Sequence, residues 1–285
     1  MGSVKQIVQS ANHNFQKHIR NPKVIMVFLI FFALILDTHT PFNRLANQFQ
    51  VKNTPWFFPF FISNIHMGFF VLLGFLLLFC DAPFIDRHQP YIIIRIGKRR
   101  WLLGQLLYIV SMSFFFVLVI HLCMILVLLP TLSFSADWGT VIYTLAKTSV
   151  QGFLPMFHIS SAVVSQYTVW QAELISIVIV WLEGITVGSL MFLLNFKFHK
   201  VAGIMAGSIY AGLYFMIKAF ATNIPILWKI VPCLWMDFNN MASQRVGMHP
   251  GVLYSVVGLL LIIGVIWTCL IVGMRKQPIE VIEQG

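Results

Sequence analysis

Acidic side chains are nearly absent from this chain: nine Asp and Glu in 285 residues, against 19 Lys and Arg. All charged types together make up 10% of the residues, where a soluble domain carries about 25%. So few charges cannot clothe a water-facing surface, and this excludes the two soluble domains that the length alone would allow. Cysteine is scarce too. Cys80, Cys123, Cys233 and Cys269 form no C-x-x-C pair and no His/Cys ligand spacing, which excludes a disulfide-stapled module and implies no metal site. The G-x-x-x-x-G-K-[ST] phosphate loop, H-E-x-x-H and paired-glutamate helix motifs are missing, and no Ser/His pair stands out. The expectation is a protein that is not an enzyme and carries no cofactor. Residues 1–20 lack the apolar run and small-residue cleavage site of a signal peptide.

What is abundant is apolar surface: 59% of residues are hydrophobic and the mean hydropathy is +0.84. A membrane-spanning helix needs about 20 mainly apolar residues. Six stretches qualify: residues 23–41, 56–80, 101–129, 170–196, 201–220 and 252–273, the first the weakest by length. The alternating strands of a membrane barrel do not occur. The predicted fold is an all-α polytopic membrane protein of six transmembrane helices, residues 23–285, preceded by an amphipathic interfacial helix, residues 1–22.

A net charge of +10 would suggest nucleic acid in a soluble protein. Here the basic residues sort by side. With the N-terminus in the cytoplasm, 13 lie in inner segments and six in outer segments or at outer helix ends. The charge is therefore a topology signal that places both termini in the cytoplasm of a multi-pass cell-membrane protein, with the lipid bilayer rather than nucleic acid as partner.

The N-terminal segment repeats Val4, Ile7, Val8, Ala11, Phe15 and Ile19 at helical spacing, with Lys5, Gln9, Asn12, Gln16, Lys17 and Arg20 opposite. It reads as a helix lying along the inner leaflet until Pro22 turns the chain into the first span, or else as a frayed tail. Two outer segments, 131–167 and 221–250, are long and apolar. The second reads either as a hairpin closing the outer side before the last helix or as a surface loop anchored by Trp228 and Trp235.

The inner loop 81–101 is the most specific feature. It carries Asp81, Pro83, Asp86, Arg87 and Tyr91, three isoleucines, then Arg95, Gly97, Lys98, Arg99 and Trp101. Asp81 can cap a short helix with Pro83 in its first turn, Gly97 can end that helix, and Trp101 can anchor the next span at the interface. Apolar residues ringed by charge on a cytoplasmic loop point to a docking surface, while a plain positive-inside loop needs no partner.

Within the spans, Glu183 stands near the centre of the fourth, with His121 and His66 as possible partners. These three are pathway candidates, or Glu183 makes a structural hydrogen bond between helices. Gly184-x-x-x-Gly188 and Gly203-x-x-x-Gly207 permit close helix packing, within an antiparallel pair or across a dimer interface.

The loop string D-x-P…Y-x-x-x-R-x-G-[RK]-x-x-W-x-x-G-Q, carried by Asp81, Pro83, Tyr91, Arg95, Gly97, Lys98, Trp101, Gly104 and Gln105, resembles the permease subunits of ABC-2 type ABC transporters, Gram-positive branch. Trp138-Gly139, Thr144-Leu145-Ala146 and Asn195 also fit, and the resemblance covers the whole chain in topology. Glu183 is not part of it. The resemblance implies that loop 81–101 couples to a separate ATP-binding cassette ATPase, with a homodimer or a second permease subunit completing the pathway. It implies an exporter of an amphipathic peptide, antibiotic or lipid-like substrate. The alternative is a membrane immunity or sensor protein that works without an ATPase.

Overall fold

A computed structural model of the chain describes residues 2–83, 89–147, 158–198, 200–242 and 249–276. Among these the secondary structure is helical, and five helices are long and apolar enough to cross a membrane. The architecture is that of an all-α, multi-pass membrane protein.

Helix α1 (Gly2–Ile19) leads to Asn21, whose side chain accepts a hydrogen bond from the Lys23 amide while Pro22 fills the first helical position. Both features start α2 (Pro22–Gln48). The sequence predicts an end at Pro41, yet α2 runs seven residues further. Proline removes one backbone donor, the one that would reach the Asp37 carbonyl, and a membrane helix can bear that loss. The Thr38 and Thr40 hydroxyls donate to the Leu34 and Leu36 carbonyls in the turn before it. The extension is also bound: Phe42 and Ala46 are buried, and Asn43 donates to the Val127 carbonyl at 2.7 Å.

The second predicted span is not one helix. Helix α3 (Phe58–Ser63) stops at Asn64, whose backbone is extended and whose side chain accepts from the His66 and Met67 amides to start α4 (Ile65–Phe79). An asparagine that caps more readily than it continues a helix splits the run. The 15 residues of α4 cover about 22 Å, less than the roughly 30 Å hydrocarbon core.

After α5 (Gln89–Ile96), α6 (Lys98–Leu128) returns through the bundle. At its distal end Asn43, Asn53 and Thr131 form a buried knot: Asn53 Nδ2 donates to the Phe42 carbonyl and the Thr131 hydroxyl, which donates to Asn43. Short helices α7 (Gly139–Lys147) and α8 (Ser161–Gln166) lie at this end, tied down by Trp138, whose indole donates to the Tyr167 carbonyl.

Helix α9 (Val169–Lys197) starts on a Thr168/Gln171 capping box and is the most deeply buried of the long helices, with α3, α4, α6, α10 (Lys200–Phe220) and α13 (Val252–Lys276) around it. Between α10 and α13 lie α11 (Pro225–Ile230), a 3-10 turn (Pro232–Met236) and α12 (Phe238–Met241). Trp228, Cys233, Leu234, Trp235, Met236 and Phe238 are all buried, the turn packing on α9, α10 and α13. Trp228 and Trp235 are thus core residues and not exposed anchors.

Candidate functional site

One end of the bundle gathers α1, the α4–α5 connection and the α9–α10 junction. The last carbonyls of any helix lack intrahelical partners. At the end of α4 three separate elements attend to them and to the chain just beyond. His18 of α1 places Nε2 3.1 Å from the Leu78 carbonyl, Lys23 of α2 pairs with Asp81 at 3.2 Å, and Asn195 of α9 donates to the Ala82 carbonyl at 2.7 Å. The same Asn195 accepts the Gly203 amide of α10 at 2.7 Å, one of the free donors of that helix's first turn. Asn195 is therefore a buried clip joining the root of loop 81–101 to the α9–α10 hairpin. A methyl group at position 203 would collide with it, which explains why glycine stands there. The Lys23–Asp81 pair is exposed and contributes little, so His18 and Asn195 hold the junction. Burial pushes the His18 imidazole below its ordinary value, against the Leu78 carbonyl and the Asp81 charge, which raise it.

Helix α1 has three faces. Ser10, Ala11 and Asn14 are buried on α6, where Asn14 donates to Gln105 at 3.0 Å and a side chain at Gly104 would strike Ser10. Phe15 stacks edge-on against Phe115 at 5.4 Å, and Arg100 donates to Gln6. The apolar stripe read from the sequence is offset from this docking face by roughly a quarter turn, so Val4 (67%) and Val8 (50%) stay exposed. Gly104 and Gln105, the end of the loop string, are the seat of α1.

Loop 81–101 is described in part. Asp86 and Arg87 and the Tyr91 side chain lie outside the described residues. Asp81 pairs with Lys23, and α5 is described from Gln89; residues 84–88, on which the expected start of a short helix after Asp81 and Pro83 falls, lie outside the described residues. Gly97 does close α5, with φ of 84° and its amide on the Ile93 carbonyl, and α6 starts at once with Lys98. In α5, Ile93 is buried, whereas Ile94 (68%) and Arg95 are exposed, as are Arg99 and Arg100 on α6. Trp101 is fully buried, edge-on to Phe192, rather than an interfacial anchor.

The three pathway candidates are not brought together. His66 is exposed beside Phe215. His121 lies 3.0 Å from Glu173 of α9, within ion-pairing distance though off-line for a hydrogen bond. Glu183 instead accepts the Tyr210 hydroxyl of α10 at 2.7 Å. The glycines divide by partner: Gly184 and Gly188 accommodate Phe75, Phe79 and Ile109 of α4 and α6, while Gly203 and Gly207 face Asn195, Met191 and Leu76.

Sequence reasoning missed a polar column at the other end. Tyr210, Tyr214 and Lys218 recur every fourth residue on α10 and so share a side. Lys218 Nζ pairs with Asp237 at 2.5 Å and donates to the Ser63 carbonyl, and Tyr214 lies 3.4 Å from the Ile62 and Asn64 carbonyls at the α3–α4 break. The i, i+4, i+8 spacing was visible; the partners from two other segments were not. No three His, Cys, Asp or Glu side chains gather as a metal site among the described residues. No protein-family model matches the chain, nor does any curated protein or solved structure.

Proposed function

We propose that this chain is the transmembrane subunit of an ATP-driven exporter, a six-span permease in the cell membrane with both termini cytoplasmic. In this reading α4, with α3 leading into it, is the sixth span, and α1 rests in the inner leaflet with Val4 and Val8 toward lipid. Loop 81–101 docks on a separate ATP-binding cassette ATPase through Ile94, Arg95 and Arg99, and a second copy or a second permease subunit completes the pathway. The cargo is an amphipathic peptide, antibiotic or lipid-like molecule, suited to walls drawn from 27 Phe and eight Trp.

The observation that carries this reading is the junction at the root of the loop. His18 and Asn195 tie residues 78–82 to α1 and the α9–α10 hairpin. A push on α5 is thereby passed into those elements, as a coupling loop requires, because interfaces of packed helices move as units. A plain surface loop has no need of buried ties at its root.

Affinity purification of the tagged chain from its native membrane tests the proposal. A soluble ATPase should co-purify in stoichiometric amount, and Arg95→Glu, at an exposed position, should release it while the permease remains folded. Purification of the wild-type chain without an ATPase would overturn the proposal in favour of an immunity or sensor protein.

A further inference from the structure

Glu183 occupies the midpoint of α9 and is fully buried. One carboxyl oxygen takes the single proton that the Tyr210 hydroxyl can donate, and the other has no hydrogen-bond partner among the described residues. Among those residues no Lys, Arg or His lies within ion-pairing distance of it. The titratable groups that face it are the Tyr210 phenol of α10 and the Cys233 thiol of the Pro232–Met236 turn. Helix α4 packs the Phe75 ring on the adjoining Gly184, and α6 and α13 bring Ile109 and Trp267 to Gly188 and Ser189 further along. A bare carboxylate in such surroundings costs several kcal/mol even after relaxation, and no cation offsets it.

We propose that Glu183 is a proton-binding site, filled in the arrangement described here and exchanging with the aqueous phase beyond the Asp237 end of the bundle. The polar column of α10 marks the route. Above Tyr210 come Tyr214, then Lys218 paired with Asp237, with the Ser63 carbonyl alongside. The rings and chains that α4 and α6 pack beside it, Phe75 on Gly184 and Phe79 and Ile109 on Gly188, are aromatic or aliphatic. Asp237 follows the buried turn directly, so movement of that turn away from α9 and α10 opens the column. Binding forms one O–H bond at the free oxygen. Release returns that proton to water and leaves a carboxylate on which the Tyr210 hydroxyl still donates. The inference stands apart from the exporter reading and survives if no ATPase is found.

Infrared spectroscopy of the whole chain in lipid bilayers tests it. At neutral pH the wild-type protein should show the C=O stretch of a protonated carboxyl that Glu183→Gln loses. Raising the pH should bleach this band, and D2O should shift it. Tyr214→Phe should slow the D2O shift severalfold. Tyr210→Phe keeps the carboxyl and removes its donor, so the band should move in frequency; this variant decides the assignment if Glu183→Gln does not fold. Three results would overturn the proposal: no band lost in Glu183→Gln or moved in Tyr210→Phe, which marks a permanent carboxylate; a band unmoved by pH and D2O, which marks a sealed structural bond; or exchange unaffected by Tyr214→Phe, which marks a different route.

Discussion

Asn195→Ala is the most informative single substitution in this protein. It deletes two hydrogen bonds of 2.7 Å at once and leaves the Ala82 carbonyl and the Gly203 amide without that partner. Leaving a buried polar group unsatisfied costs about 1–3 kcal/mol, so two such groups give an upper range of about 2–6 kcal/mol before relaxation. Gly203 lies in the first turn of α10, where water can reach an orphan donor more easily than in mid-helix, and this pulls the expectation to about 2–4 kcal/mol. Asn195→Asp discriminates between the two bonds. It keeps an acceptor for Gly203 but places a carboxylate against the Ala82 carbonyl, so it should be the worse of the two at neutral pH and recover on acidification. The assays are thermal unfolding in detergent and limited proteolysis within residues 81–97. The alanine variant should unfold earlier and be cut faster in the loop. Wild-type stability together with wild-type cutting would refute the claim that Asn195 holds the loop root.

Three further outcomes follow from the geometry. Lys218→Met or Asp237→Leu alone should cost about 3–5 kcal/mol by stranding a buried charge, and the double variant should cost less than either single, as read by a double-mutant cycle of thermal unfolding. Gly184→Ala and Gly188→Ala should each cost about 1–3 kcal/mol because Phe75, Phe79 and Ile109 must shift, whereas Gly264→Ala, with no neighbour within 4 Å, should be neutral or stabilising in the same assay. Because burial lowers the folded-state value of His18 below its ordinary 6.5, the unfolded or undocked state binds more protons in between. Docking of α1 should therefore be at full strength above that value and weaken as pH falls below it. Spin labels on α1 and α6 should report release on acidification, and His18→Asn should flatten the response; a response that survives His18→Asn would refute the assignment.

Much of the membrane architecture was legible because lipid imposes a one-dimensional rule: the backbone must bond to itself, so long apolar runs become helices. The α9, α10 and α13 spans came from that rule with their ends nearly placed, and a glycine at position 97 marked the break between α5 and α6. The departures occur where a residue's preference depends on what lies beside it. Pro41 reads as a stop, but buried Phe42 and Ala46 and the anchored Asn43 carry α2 past it. Asn64 sits unremarked in an apolar run, yet its side chain caps α4 and splits the predicted second span. Trp101 reads as an interfacial ring and is buried, edge-on to Phe192 of α9.

The sequence by itself determined that this is a helical protein of the bilayer and where most of its crossings fall, since hydropathy and periodicity are properties of a single segment. Only the tertiary structure decided that Glu183 meets Tyr210 and not a histidine, that Lys218 closes on Asp237, and that Asn195 clips the loop root to two helices. Each of these is a pairing between segments distant in the chain. A polar side chain inside an apolar bundle must find a partner, but which one it finds is set by the packing of the helices around it.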